Sequence, residues 1–135
     1  MVERLDRPHP GLFQILCRAT RRFRLVHRER LKHGLWVGHA ELLPDDAPLE
    51  VPDDLEAVAL MLRALLRDLT ERAGDDVPIP QPHRLDDCGW VANRWCDLLP
   101  VASDVKQRLL ETDSPLLRLE LVSDLLERIR RQPAA

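Results

Sequence analysis

The chain concentrates its chemically versatile residues in one run, "RLDDCGWVANRWCDLLP", residues 84–100. It holds Cys88, Cys96, Trp90 and Trp95 together with Asp86, Asp87 and Asp97. Thiolates and carboxylates could bind a metal or run redox chemistry, so spacing decides. Eight residues along a helix put Cys88 and Cys96 about 12 Å apart. A disulfide needs Cα atoms within about 7 Å, and ligands of one zinc ion stand closer still. No shared site forms on one helix. Trp90, Val91, Trp95 and Leu98 instead form one apolar stripe, which assigns them to a core.

Other catalytic patterns fare no better. The serines are Ser103, Ser114 and Ser123, and the lysines Lys32 and Lys106. Ser103 and Lys106 could meet on a helix face, but Ser103 suits a helix start, and no nucleophile elbow surrounds any serine. The five glycines show neither phosphate-loop spacing, which speaks against ATP use. His27, His33 and His39 recur every six residues and share no helix face; with His9 and His83 they read as exposed or hydrogen-bonded. The pairs Asp45–Asp46, Asp53–Asp54, Asp75–Asp76 and Asp86–Asp87 fall in loops or at helix starts, where capping and the helix dipole account for them. No cofactor and no metal is expected.

The elements that carry these residues follow two periods. From Gly11 to Pro44 the period is two. "GLFQILC", "RFRLV" and "LWVGHAELL" read as half-buried strands. Phe23 and Leu25 lie opposite Arg22 and Arg24; Trp36, Ala40 and Leu42 lie opposite His39 and Glu41. Short links predict an antiparallel meander. After the linker "PDDAPLEVPDD" the period becomes 3.6. Leu55, Val58, Leu62, Leu65 and Leu69 mark a first helix, capped by Asp53 or Asp54 and stopped at Gly74. A connector with three prolines, "DDVPIPQPH", follows. Asp86 or Asp87 caps a second helix and Ser103 a third. Ser114, with Pro115 in the first turn, starts a fourth that carries Leu116, Leu119, Val122, Leu126 and Ile129, with Leu117, Leu121 and Leu125 beside them. The order predicts an α+β fold: a β-meander over residues 1–50, then a four-helix bundle over 51–135.

At 135 residues the chain suits one domain, with the two parts together forming it. It has no apolar run of bilayer length and no signal-peptide core, and its three cysteines suit a reducing compartment, so the cytoplasm is expected. The net charge of −3 splits into +6 over residues 1–34 and −9 beyond. The basic run "RATRRFRLVHRERLK" raises RNA binding as an alternative function. Phe23 is its only aromatic and points away from Arg22 and Arg24, so a solvated strand face is the better account.

"RRFRL", "WVANRWCDLLP" and "KQRLLETDSPLLRLE", in that order, resemble the substrate-binding N-terminal domain family of Lon proteases, above all its stand-alone bacterial members. The resemblance runs over about residues 10–130. It implies a PUA-like β-barrel followed by a helical bundle, and a non-catalytic module that binds unfolded or extended polypeptide or a partner protein. Neither the ATPase module nor the serine–lysine peptidase module of those proteases is matched. Family members begin upstream with further strands, so by this resemblance the chain opens near the middle of the barrel, with "VERLD" a candidate for one more strand. Open strand edges then favour self-association and capture of an extended peptide. The residues expected to contribute to peptide or partner binding are Phe13, Phe23 and Trp36; the competing reading puts each in the barrel core.

Overall fold

A computed structural model describes residues 1–73 and 81–131. The fold is α+β, with two compact units, Met1–Asp45 and Asp46 onward. The first unit contains four strands: β1 (Val2–His9), β2 (Leu12–Cys17), β3 (Phe23–Arg30) and β4 (Trp36–Leu42). "VERLD" does lie in a strand. The strands pair two by two as the hairpins β1–β2 and β3–β4, not as one continuous meander. The link between β2 and β3 explains the difference. Arg18 N–H donates to the Met1 carbonyl at 2.9 Å and prolongs the first ladder, while Leu43 N–H donates to the Arg22 carbonyl at 2.9 Å and prolongs the second. That leaves Ala19–Arg21, without Gly, Pro or Asn to fold β2 tightly back on β3.

Glycine closes each hairpin where φ turns positive: Gly11 at 83° and Gly34 at 91°. In β3–β4 the register runs Phe23↔Leu42, Arg24↔Glu41, Leu25↔Ala40, then His27↔His39, Arg28↔Gly38 and Arg30↔Trp36. Val26 is the extra residue of a bulge, and it switches the alternation of β3. One face therefore holds Phe23, Leu25, Arg28 and Arg30 beside Trp36, Gly38, Ala40 and Leu42. The other holds Arg24, His27 and Glu29 beside Val37, His39 and Glu41. A Cβ on Gly38 would stand 2.7 Å from the Leu25 Cδ1, so the leucine lies across the space that glycine leaves.

The second unit holds α1 (Glu56–Ala73), α2 (Cys88–Leu98), α3 (Ser103–Glu111) and α4 (Pro115–Arg131). Its core is continuous: Leu55, Val58, Ala59, Leu62 and Leu66 meet Cys88, Val91, Ala92 and Trp95, with Leu99, Leu109, Leu119, Val122 and Leu126. The Trp95 indole N–H donates to the Val58 carbonyl at 3.1 Å, so the large ring is buried with its polar atom satisfied. Trp90 and Leu98 are only half-buried at the edge of this core. On α4, Leu117, Leu121 and Ile129 face solvent, leaving a stripe narrower than the leucine count suggested. The segment before α1 is pinned to the start of α2: Cys88 N–H donates to the Leu49 carbonyl at 2.8 Å and Val51 N–H to the Asp86 carbonyl at 2.9 Å.

Two of the expected caps form. Asp87 accepts from Trp90 N–H at 2.7 Å, and the Ser114 hydroxyl accepts from Leu117 N–H at 3.3 Å. Two do not. The chain enters α1 through a 3₁₀ turn, Asp53–Leu55, with Leu55 N–H donating to the Pro52 carbonyl, so neither Asp53 nor Asp54 caps it. Ala102, not Ser103, precedes α3, and no side chain caps that helix. The expected stop at Gly74 and the connector over 75–80 lie outside the described residues.

Arg118 is the polar centre of the unit and is fully buried, at 0% exposure. Its five N–H donors are all used. The Nη1 group donates to Asp46 Oδ2 at 2.6 Å and to Asn93 Oδ1 at 3.2 Å. The Nη2 group donates to Asp46 Oδ1 at 3.3 Å and to the Thr112 carbonyl at 2.6 Å. Nε donates to the Leu109 carbonyl at 3.2 Å. Leu109 and Thr112 sit at the end of α3, where the dipole is negative, so a guanidinium suits their carbonyls; that of Leu109 also accepts from Thr112 N–H at 3.2 Å. One side chain thereby ties α4 to α2, to the end of α3 and to Asp46. Gly89 belongs to the same arrangement, since a Cβ there would come within 3.1 Å of Asp46 Oδ2.

Candidate functional site

The run at residues 84–100 builds structure. The Cys88 thiol is buried and donates to the Glu50 carbonyl at 3.3 Å. Burial raises its pKa, and the negative charge of Asp87 raises it further. Burial also raises the Cys96 pKa, with Arg118 pulling the other way. Both thiols are thus held in the unreactive protonated form, the reverse of what a nucleophile or redox centre needs. The geometry here serves packing.

Exposed apolar surface concentrates in the strands. Phe13, Phe23 and Trp36 are 50%, 60% and 60% exposed. Phe23 and Trp36 share a face of the β3–β4 hairpin but stand at opposite ends, Phe23 across from Leu42 and Trp36 across from Arg30. Between them lie Leu25 and Ala40, then Arg28 across from Gly38, so the face is apolar toward Phe23 and Leu42 and mixed with arginine toward Trp36. Phe13 belongs to the other hairpin, two residues along β2 from Ile15, which pairs with Leu5. Leu12 and Leu16 alternate with Phe13 and Ile15, so apolar residues stand on both faces of β1–β2, and Phe13 is on a different hairpin from the other two.

Arginines border both faces. The Arg7 guanidinium lies 4.6 Å above the centre of the Phe13 ring, and that of Arg28 lies 5.6 Å from the centre of Trp36. Such stacking covers ring faces that nucleic-acid bases would need. Other cations of the basic region are engaged with acids: Arg4 with Asp6 at 2.9 Å, Arg18 with Glu3, and Arg21 with Asp45 at 3.9 Å. The charge excess is therefore less available than the count of arginines implies.

One pair escaped the periodicity. His27 and His39 face each other across β3 and β4, with ring centres 6.2 Å apart. The spacing of six argues only against a helix. Reflecting the two strands about His33 would have brought these residues together.

Comparison with known proteins gives this geometry a setting. Residues 1–128 match the family described as the ATP-dependent protease La (LON) substrate-binding domain. That match covers most of the chain, and the protein belongs to this family. Its fold is similar to the crystal structure of a Lon N-terminal domain protein from Xanthomonas campestris, with a TM-score of 0.70 and 26% identity. The similarity covers 98% of this chain and 65% of that one, so the chain spans just under two-thirds of that relative's length. No curated protein sequence matches the chain. The family is that of a substrate-binding domain, a non-catalytic part of its proteases, and nothing in the comparisons favours nucleic acid as a ligand. Among the described residues no helix is long and apolar enough to cross a membrane.

Proposed function

We propose that this chain is a polypeptide-binding module that takes extended or unfolded protein segments on the apolar faces of its hairpins without cutting them. The observation that carries the reading is the solvent-facing strip of Phe23, Leu25, Trp36 and Leu42 in a member of a substrate-binding family. Exposed apolar area of this kind on a strand surface is a usual mark of an interaction site. Backbone groups at the open edges of two-stranded sheets add main-chain pairing for an extended peptide, while the aromatic residues supply the apolar contacts. Phe13, Phe23 and Trp36 are the contact residues in this reading. Arg28 and Arg30 on the β3–β4 face, with Arg7 above Phe13, favour segments that mix apolar and acidic residues.

The test is fluorescence anisotropy with a labelled, permanently unfolded protein such as reduced carboxymethylated lactalbumin. Binding is expected to persist between about 50 and 200 mM salt, a range over which phosphate-driven binding falls steeply. The double substitution Phe23→Ser with Trp36→Ser should weaken it at least tenfold while the helical melting transition stays in place. Equal binding by that variant would refute the assignment of the face.

A further inference from the structure

We propose that His27 and His39 form a two-imidazole site for a borderline divalent transition metal of the copper(II), nickel(II) or zinc(II) class. The two residues are directly opposed in the β3–β4 register, and their ring centres stand 6.2 Å apart with the planes tilted by 30°. A ligating nitrogen lies about 2.1 Å from the ion and about 1.1 Å from its own ring centre. Two rings on one ion therefore have centres about 5.2 Å apart at a tetrahedral angle and about 6.4 Å apart in line. The observed separation falls inside that window, nearer the open end. Both residues are exposed, so small rotations of their side chains close the angle. Neither imidazole has another side-chain hydrogen-bond or ion-pair partner among the described residues, so both lone pairs are free for an ion.

The surroundings suit a cation. The same face carries Glu41 beside His39 and Glu29 beside His27, with Arg24 as its cation within β3 and Arg22 just beyond the strand. Among the described residues no group of three or more His, Cys, Asp or Glu side chains is placed to hold an ion together. The protein thus supplies two ligands, and water completes the shell, which selects for ions that bond strongly to imidazole rather than for calcium or magnesium. The site clips β3 to β4 next to the bulge at Val26. It lies on the face opposite Phe23 and Trp36 and does not depend on peptide binding there.

Titration calorimetry of the full chain with Cu²⁺, Ni²⁺ and Zn²⁺ should show one ion per chain, with Cu²⁺ the tightest. Losing one first ligand should weaken binding at least as much as losing a supporting residue does, which is about tenfold or more, so His27→Ala and His39→Ala each test the site. His9→Ala, His33→Ala and His83→Ala should leave the affinity unchanged. A second measurement needs no substitution: substoichiometric Ni²⁺ should broaden the imidazole resonances of His27 and His39 before those of the other three histidines. Unchanged affinity in the His27→Ala, His39→Ala double variant, or broadening that starts elsewhere, would overturn the proposal.

Discussion

The two units bury their apolar residues in opposite ways. In the helical unit Leu62, Leu66, Leu119 and Val122 are inaccessible to solvent or nearly so. In the strand unit Leu5, Phe13, Ile15, Phe23, Leu25 and Trp36 are half or more exposed. The amino acids are similar, and what differs is the presence of a facing layer. A helix pair closes its own stripe, whereas a two-stranded hairpin offers a face and is marginal unless something covers it. The helical unit therefore carries a self-sufficient core, and the hairpins present their apolar chemistry outward. Same-type substitutions in the two units should have unequal effects.

The greatest loss is expected at the buried charge. Arg118→Ala removes the guanidinium's bonds to Asp46, Asn93 and the Leu109 and Thr112 carbonyls from the buried centre, at a cost of about 3–5 kcal/mol in chemical denaturation. Adding Asp46→Ala to that variant should cost little more, because the two act as one unit. Additive losses would mean that the pair is not the centre of the unit. Leucine tests the contrast directly. Leu62→Ala should cost about 2–5 kcal/mol. Leu25→Ala, half exposed on β3, should cost less than about 1 kcal/mol. Comparable losses would erase the distinction between the units.

The tryptophans sharpen it within a single helix. Trp95→Ala should cost about 3–5 kcal/mol, since it empties a large buried volume and removes the indole bond to the Val58 carbonyl. Trp90→Ala should cost about 1–2 kcal/mol, because Trp90 lies at the core's edge with Arg94 and His83 against its ring. The thiols contribute a pH dependence of known sign. Cys88 and Cys96 titrate above the ordinary thiol value of 9.0 in the native state. The unfolded chain therefore gives up these protons first as pH rises, and stability present below that value is lost through the alkaline range. Replacing both by alanine should flatten this part of the stability–pH curve.

Much of this was legible in the sequence, and the failures have particular causes. Alternation placed Phe23 and Leu25 opposite Arg24, and Trp36 opposite His39, because strand geometry acts locally. It missed the His27–His39 pair because the partner is set across a turn and a bulge at Val26 shifts the register. It also joined β2 to β3, which hydrogen bonding at Arg18 and Arg22 keeps in separate ladders. Helical periodicity found Leu119, Val122 and Leu126 but passed over Arg118, although Arg118 lies four residues from Val122 on the same face. A charge on a buried stripe needs a distant partner, and Asp46, 72 positions away, cannot be read from α4 alone. The apolar strip was expected to lie either in a barrel core or at a binding surface, and composition does not distinguish a covered face from an open one.

The helix starts give the finest comparison, since four acid or hydroxyl caps were expected and two form. Asp87→Ala should cost about 1 kcal/mol by orphaning Trp90 N–H at the head of α2. Ser114→Ala should cost about half of that, because its bond to Leu117 N–H is long at 3.3 Å and exposed. Ser103→Ala should change stability by no more than about 0.5 kcal/mol, since Ser103 lies inside α3 after an uncapped Ala102. Thermal melts of the three single variants in one buffer rank them directly. A Ser103→Ala loss equal to that of Asp87→Ala would place a cap where the backbone shows none, and the start of α3 would have to move by one residue.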